Sequence, residues 1–455
     1  MLTHALRALV LGATVTTPPR PLGLAAAIDF AVAHEPAVFE ARAVQETAAA
    51  QVGLRRTAYL PALDLFAEEN AAGIEPVSGL FFQMPGVPET TGAPGAAGLA
   101  MDSSAGGSLD WKLDLFHRIA LVDVALARQQ EAARAREATD LDVGAAAADR
   151  YLALAEAQER VRADRVTVER ALAFQRVVDV LVAQQLRPAA DASRAAAILS
   201  LARVALARSI EQVAVARAAL AVALGAPGAP IELSLGGLLG PPPPIAPPPP
   251  PKNPHVLERS SAVRARRLGE RAVAFEYLPR LDLVAALWAR GSGFPPDPAA
   301  GAGPLPSSPA WAVGLVLSWN AFSVFAIHER QRVAAAETAR AEAAHERVAQ
   351  AVEGQLSEAE AALSGAIAIA EETPLALAAA RVTEAQALAR YQAGLVTVVD
   401  VAEAERILAR AEVEDAVARL QIRRAHLLIA RAVGDLSPFV AEARAAQGPP
   451  EGGVP

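Results

Sequence analysis

The chain has 455 residues, of which 53% are hydrophobic and 4% are aromatic, and it contains no cysteine. The formal net charge of −8 gives no basic footprint for nucleic acid, so we expect no nucleic-acid partner. Without cysteine, disulfides, thiolate catalysis and cysteine-ligated metals are excluded. Because much of the hydrophobic content is alanine, the composition favours long, closely packed helices.

The start of the chain resembles a weak signal peptide, because Arg7 precedes a short apolar stretch from Ala8 to Val15. A disordered start is the other interpretation of residues 1–21, and both stay open. No apolar stretch reaches the roughly 18 residues of a transmembrane helix. If this protein crosses a bilayer, we therefore expect it to do so with β-strands.

Residues 22–235 predict a helix, two strands and a long helical hairpin. An alternating run follows Tyr59-Leu60-Pro61, a stricter one spans Leu109–Leu115, and a Gly- and Pro-rich loop, Ala71 to Ser108, separates them. The three expected helices are about Leu24–Ala58, Arg118–Leu186 and the segment from Pro188 to Leu224. The second of these, as one helix, would span about 100 Å.

A proline-rich linker, residues 236–254, joins the two halves, and its serial prolines favour a stiff polyproline strap. A ligand for a proline-binding module is the alternative interpretation. Residues 255–436 then repeat the helix, the strand pair and the hairpin, and residues 437–455 are expected to be a disordered tail. The elements expected here are helices at His255–Glu276, Ala326–Tyr391 and Val398–Val433, a strand after Tyr277-Leu278-Pro279, a loop at Gly291–Pro309 and a strand at Val313–Ala321. Pro374 should kink or break the long helix.

The two halves share residues in one order. Tyr59-Leu60-Pro61 recurs 218 residues further on (277 − 59), Trp111 is answered by Trp319 after 208 residues (319 − 111), and Asp191 by Asp400 after 209 (400 − 191). A period of this length excludes solenoid repeats, whose units are roughly 20 to 50 residues. The chain is therefore predicted to consist of two similar halves.

The predicted strands have one apolar and one polar face. In a membrane, we expect Asp110, Lys112 and Ser318 to face a lumen. The residues expected to face lipid are Leu109, Trp111, Leu315, Leu317 and Trp319. Four strands cannot close a barrel, since single-chain barrels begin at about eight strands, so several chains must contribute. A half-buried sheet of a soluble protein is the alternative.

The sequence contains no recognisable catalytic motif. The seven histidines fall in no metal-ligand spacing, and no nucleophile motif or phosphate-binding loop is present. We therefore predict neither enzymatic activity nor a cofactor or metal.

In combination, these features resemble the TolC-like outer-membrane efflux protein family, from about Leu22 to Gly434. The segments that carry the resemblance are Ala33-His34-Glu35-Pro36, the two Tyr-Leu-Pro sequences, Trp111-Lys112-Leu113-Asp114-Leu115-Phe116, Trp319-Asn320-Ala321-Phe322, and Arg390-Tyr391-Gln392-Ala393-Gly394-Leu395 before Asp400. Their order and their internal repetition make the combination specific.

The resemblance implies a mainly α fold with a small β part and a two-fold internal repeat. Long coiled-coil helices would form an α-helical barrel in the periplasm, and a homotrimer would share a twelve-stranded β-barrel in the bacterial outer membrane. It further implies a channel-tunnel of a tripartite efflux or type I secretion system, which docks onto a periplasmic adaptor and an inner-membrane pump.

The same resemblance implies functional residues at the two turns between long helices. The positions matching the adaptor-docking tip are Gly394, Leu395, Gln185 and Leu186, and those matching the aperture are Asp400, Glu403, Asp191 and Tyr391. Gln185 departs from the glycine of this motif. Val396 stands where the family has a basic residue, which implies a weaker closing network. As an alternative, Asp191 and Asp400 are simple N-terminal helix caps.

The competing function is a periplasmic coiled-coil scaffold without channel activity. It accounts for the helices but leaves the alternating strands unexplained. It also leaves unexplained why Trp111 and Trp319 match one another near strand ends, where an interfacial belt requires tryptophan.

Overall fold

The computed structural model describes residues 17–74, 98–240, 252–292, 306 and 308–447. The described chain is mainly helical. Its α-helices are α1 (Leu24–His34), α2 (Pro36–Thr57), α3 (Leu115–Ala183), α4 (Ala189–Ala223), α5 (Pro254–Ala274), α6 (Ser323–Gln392), α7 (Val398–Val433) and α8 (Ser437–Gln447). Short 3₁₀ turns lie at Gly236–Leu239 and Phe275–Tyr277. The expected mainly α fold is confirmed.

The strands form one antiparallel sheet in chain order, in which β2 and β3 are the central pair. Its strands are β1 (Ala62–Ile74), β2 (Gly98–Lys112), β3 (Arg280–Ser292) and β4 (Ser308–Ser318). Each half of the chain contributes two of these strands, as the sequence predicts. Within the described residues, β1 and β4 each pair along one edge only.

The strand boundaries differ from those expected. Leu115 begins α3 rather than ending a strand, and Trp319 lies just beyond β4. The strands also reach further into the predicted loops, because β1 continues to Ile74 and β2 starts at Gly98. On the helix side, the alternation of apolar residues in the sequence continues beyond the end of the strand. Near the loops, the strands still pair, but their sequence no longer alternates regularly between apolar and polar residues. The remaining loop residues, 75–97, 293–305 and 307, lie outside the described part.

The first expected helix is split into two at Glu35. This residue is extended, with φ −70° and ψ 129°, and α2 starts at the following Pro36. A proline disfavours the helical conformation of the residue before it, which explains the break. The expectation of one helix over Leu24–Ala58 was therefore wrong.

The 70-residue helix α6 continues through Pro374, so the expected break does not occur. One proline costs about 3 kcal/mol or more in a helix interior. By length and composition, α6 also contains an 18-residue window apolar enough to cross a membrane, with mean hydropathy 1.2, where we expected none. The helix as a whole far exceeds the roughly 20 residues that span a bilayer.

The chain divides into two compact units. One unit consists of residues 1–44, 132–259 and 345–455, and the other of residues 45–131 and 260–344. The second unit carries the sheet and a small cluster of Ala120, Val124 and Ala272. The first unit carries the main core, in which Tyr151 is fully buried and donates a 2.6 Å hydrogen bond to the Ser234 carbonyl oxygen.

The segment expected to be a disordered tail begins instead with α8. Phe439 and Ala443 of this helix are buried in the main core. Its Glu442 accepts a 2.6 Å hydrogen bond from Arg423, whose Nε also donates to the Leu238 carbonyl oxygen at 2.6 Å. The amphipathic spacing of Phe439 and Ala443 explains the helix. Leu238, near the start of the expected linker, is therefore also part of the core. Residues 241–251 and 448–455 lie outside the described part.

The two-fold repeat has a structural counterpart at the helix ends. Gly225 has φ +68° and lies so close to α1 that an added Cβ would stand 2.7 Å from the His34 carbonyl oxygen. Gly434 has φ +91°, and an added Cβ would stand 2.6 Å from Pro254. Only glycine fits both the positive φ and the close approach.

Candidate functional site

The two turns between long helices in the first unit have the same backbone structure. At the turn from α3 to α4, Gln185 N–H donates to the Val182 carbonyl and Leu186 N–H to the Leu181 carbonyl, both at 2.9 Å. At the turn from α6 to α7, Gly394 and Leu395 donate to the carbonyls of Tyr391 and Arg390 at 3.0 and 2.9 Å. Both turns are Schellman motifs, which end a helix with one left-handed residue.

The left-handed residue is Gly394 at one turn, with φ +81°, and Gln185 at the other, with φ +59°. A side chain at this conformation costs roughly 1 to 2 kcal/mol, so the glutamine turn stores strain that the glycine turn avoids. The following leucines point into solvent at both turns, Leu186 with 64% and Leu395 with 74% of its surface exposed. Gln185 therefore departs from glycine in sequence but not in backbone conformation.

Tyr391 and Asp191 are brought together by the two hairpins. The Tyr391 hydroxyl donates a 3.0 Å hydrogen bond to Asp191 Oδ2, and both residues are buried. Burial and the neighbouring Asp191 carboxylate raise the pKa of Tyr391 to about 12, which keeps the hydroxyl protonated as the donor. The N-cap of α4 is Pro188, and no side chain caps that helix. Asp191 is thus a cross-hairpin acceptor rather than a helix cap.

Arg187 was not identified from the sequence, yet it completes this contact. Its guanidinium carbon lies 4.2 Å from the centroid of the Tyr391 ring. Its Nη2 donates to the Tyr391 carbonyl and, at 3.3 Å, to the Val396 carbonyl. Arg187 stands two residues after Gln185, as Val396 stands two residues after Gly394. Arg187 is thus a basic residue at the position of the first turn that corresponds to Val396, and the repeat offset was the signal that could have located it.

Asp400 and Glu403 make local contacts instead. Asp400 Oδ2 accepts hydrogen bonds from the Thr397 N–H and hydroxyl, each at 2.7 Å, in a capping box at the start of α7. The Thr397 side chain, and after it the Thr397 backbone, lower the pKa of Asp400. Glu403 forms an exposed ion pair with Arg406 at 2.6 Å. Asp400 is thus a helix cap, as the alternative interpretation supposed for both aspartates.

Over part of its length, one face of the sheet consists only of apolar residues and glycine. Directly opposed residues of antiparallel strands point to the same face, so the ladder defines the rows of that face. The rows are Leu63, Leu109, Ala285 and Val313; Leu65, Gly107, Leu287 and Trp311; Trp111, Leu283 and Leu315; and Leu281 with Leu317. Most of these large side chains are exposed. An exposed apolar surface of this extent marks contact with a membrane or a partner.

The opposite face is mixed. Lys112 is paired with Asp282 across the β2–β3 ladder, and Arg280 with Ser318 across β3 and β4. On this face Ala286 and Trp288 are buried, whereas Leu287 between them is exposed. At this part of β3, the mixed face is therefore more covered than the apolar face.

Trp111 and Trp319 make equivalent hydrogen bonds in the two halves. The Trp111 indole N–H donates to the Tyr59 carbonyl at 2.9 Å, and that of Trp319 donates to the Tyr277 carbonyl at 3.2 Å. Each tryptophan thus fixes the end of one strand to the chain that enters the preceding strand. Both side chains remain exposed.

Among the described residues, no group of three or more histidine, aspartate or glutamate side chains could hold a metal ion. The second unit therefore offers a sheet with an apolar face, and the first unit offers a polar contact between Asp191, Tyr391 and Arg187 at its two turns.

Comparison with solved structures shows the same fold. A membrane protein from Pseudomonas aeruginosa is 21% identical with a TM-score of 0.77, covering 92% of this chain and 91% of that chain. The outer membrane channel CmeC from Campylobacter jejuni is 17% identical with a TM-score of 0.74, covering 92% and 89%. The outer membrane protein VceC from Vibrio cholerae is 18% identical with a TM-score of 0.75, covering 90% and 96%.

Among curated proteins, no sequence matches the chain. A family model described as "Outer membrane efflux protein" matches residues 27–226 and 252–435, which together make up most of the chain. The match spans both repeats and leaves out residues 227–251, which include most of the proline-rich linker. The chain belongs to the outer membrane efflux protein family.

Proposed function

We propose that this protein is the outer-membrane channel-tunnel of a tripartite efflux or type I secretion system. Three copies would form the channel and export substrates from the periplasm, or from an inner-membrane pump, to the outside. Family membership supports an outer-membrane efflux protein. The trimer, the periplasmic tunnel and the partners are the proposed extension.

The observation that carries this proposal is the sheet, which combines an exposed apolar face with two open edges. In lipid, unpaired backbone N–H and C=O groups cost several kcal/mol each, so an open edge is not tolerated. Pairing β1 of one copy with β4 of the next removes both edges. Three copies of the four-stranded sheet would close a barrel of twelve strands.

In this barrel the apolar rows of the sheet meet lipid. The proposed lipid-facing residues are Leu109, Trp111, Leu315, Leu317 and Trp319, and their rows add Leu63, Leu65, Leu287 and Val313. Trp111 and Trp319 lie where the strands give way to helices. Their amphipathic rings suit the boundary between lipid and water at that level.

The two turns between long helices would form the tip that meets the periplasmic adaptor. The exposed Leu186 and Leu395 would enter pockets of the adaptor, and the left-handed Gln185 and Gly394 would set the direction in which they project. Exposed leucines at the ends of the two hairpins offer apolar side chains that a partner could bury.

The same turns would gate the channel. Asp191 and Tyr391 tie the two hairpins together and would separate on opening. Three copies of Asp400 and Glu403 would place a ring of negative charge around the axis. Rings of acidic side chains favour cations and disfavour anions. Asp400 keeps one carboxylate oxygen free of the capping box, so capping and charge are compatible.

Native mass spectrometry of detergent-purified protein tests the proposal against the periplasmic scaffold. We expect a trimer that requires detergent, and planar-bilayer recordings with a cation preference. Replacing both Asp400 and Glu403 by alanine should reduce this preference and leave the trimer intact. A detergent-free monomer would overturn the channel and favour the scaffold.

A further inference from the structure

The second unit contains a cavity of about 400 Å³ between α2, α3 and α5. This volume falls within the range of small-molecule sites in proteins, roughly 300 to 1,000 Å³. Its lining residues all belong to residues 45–131 and 260–344, so the cavity is formed within this one unit. The channel proposed above assigns no role to it.

Apolar side chains from all three helices line the cavity. They include Leu54 of α2, Leu121 and Val124 of α3, and Val273 of α5. Leu54 is 68% exposed, whereas Val124 is buried. A ligand with an apolar body would therefore remove further apolar surface from water, which favours its binding.

A glycine keeps one wall of the cavity open. Gly269 lies in the interior of α5, and a Cβ added to it would meet no atom of the described residues within 4 Å. Glycine is unfavourable in a helix interior relative to alanine. The space beside α5 thus results from a residue that the helix itself does not favour.

Two arginines make the cavity positive. Arg55 of α2 and Arg128 of α3 line it, and within the described part of the chain neither guanidinium has an ion-pair or hydrogen-bond partner. Glu276, which also lines the cavity, is already paired with Arg330 at 2.6 Å. Two cations are therefore left over at this site, although the chain as a whole has a net charge of −8.

We propose that this cavity binds a small organic anion, in which a carboxylate, sulfonate or phosphate group is attached to an apolar body. A guanidinium holds such groups through its fork of N–H donors. One exposed ion pair strengthens binding by roughly fivefold at most, so the apolar walls must contribute as well. An inorganic anion lacks the second contribution, and an organic cation lacks the first.

Isothermal titration calorimetry of the full chain in a nonionic detergent tests this ligand class with three probes. 1-Naphthalenesulfonate has both the charge and the apolar body, and we expect one molecule to bind per chain. Inorganic sulfate has only the charge, and 1-naphthylmethylammonium has the same body with the opposite charge. Both should bind roughly tenfold more weakly or less. Absence of 1-naphthalenesulfonate binding, or equal binding of the two naphthalene compounds, would overturn the proposal.

Filling the cavity tests its position. Gly269→Leu places a side chain in open space and adds a good helix former, so we expect the fold to be retained and the affinity for 1-naphthalenesulfonate to fall by about tenfold or more. Gly354→Leu is the matched control, because Gly354 of α6 is exposed, has similar open space around an added Cβ and does not line the cavity. Unchanged affinity in Gly269→Leu would contradict the proposal.

Removing the two cations tests the charge. The double variant Arg55→Gln, Arg128→Gln should weaken 1-naphthalenesulfonate binding by roughly tenfold and reduce its advantage over 1-naphthylmethylammonium. Arg56→Gln removes an exposed arginine that does not line the cavity and should leave both affinities unchanged. An equal loss of affinity in the double variant and in Arg56→Gln would show that the protein attracts the anion only through its overall charge, which would overturn the proposed site.

Discussion

The Tyr391 hydroxyl donates to the Asp191 carboxylate at 3.0 Å and thereby joins α6 to α4 at the tip of the hairpins. Phe174 lies against the edge of the same tyrosine ring, and Arg187 covers its face. The contact is therefore made in a dry, packed environment, where removing one partner leaves the other unsatisfied.

Tyr391→Phe removes only the hydroxyl and should destabilise the tip by about 1 to 3 kcal/mol, because Asp191 loses a buried donor. We expect more frequent channel opening in planar bilayers and a lower unfolding temperature. Tyr277→Phe is the matched control, since its hydroxyl makes a long 3.4 Å contact to Gln331. Equal effects of the two variants would show that the hydrogen bond between Tyr391 and Asp191 makes no specific contribution to stability or gating.

Substitution of the left-handed residue should change the stability of the protein in opposite directions at the two Schellman turns. Gly394→Val should cost about 1 to 2 kcal/mol, because a β-branched residue at positive φ is strained. Gln185→Gly should instead stabilise by less than about 1 kcal/mol, since relief of strain is partly offset by the greater backbone entropy of glycine. Thermal unfolding in detergent measures both, and destabilisation by Gln185→Gly would contradict the strained turn.

The two faces of the sheet can be distinguished by the same substitution on one strand. Val313 lies at the centre of β4 on the apolar face and is 65% exposed, whereas Val316 lies on the mixed face beside Asp282. Val313→Arg should cost about 2 to 4 kcal/mol in a bilayer, and Val316→Arg much less. Refolding yields into liposomes measure the difference, and equal losses would reject the assignment of faces.

An ion pair at the start of the second repeat should make stability depend on pH. His255 Nε2 lies 3.1 Å from Asp142 Oδ2, and this hydrogen bond raises the pKa of His255 and lowers that of Asp142. The imidazolium therefore stabilises the fold fully below the ordinary histidine pKa, and this contribution is lost as the pH rises through the raised value. His255→Gln should lower the unfolding temperature at pH 5.5 more than at pH 8.5. An equal decrease at both pH values would contradict the pairing.

The strands and long helices could be predicted because their signals are local. Strict alternation places Leu109 and Trp111 on one face whatever the rest of the chain does. The same rule failed at Leu115, where alternation continues by chance into α3. The tail helix was missed because Phe439 becomes informative only once the core it enters is known.

The candidate site was predictable only where the repeat supplied a second copy for comparison. Tyr391 and Asp191 were identified, and they meet. Arg187 was missed because its partners lie in the other hairpin, more than two hundred residues away in sequence.

Electron cryo-microscopy of the detergent-purified protein tests the central claim most directly, because it shows which strand covers each edge of the sheet. We expect three copies around one axis, with β1 of each paired to β4 of its neighbour in a closed twelve-stranded barrel. The apolar rows that contain Leu65 and Val313 should face the detergent belt. A single copy, or an assembly in which the edges of β1 and β4 do not meet, would contradict the account.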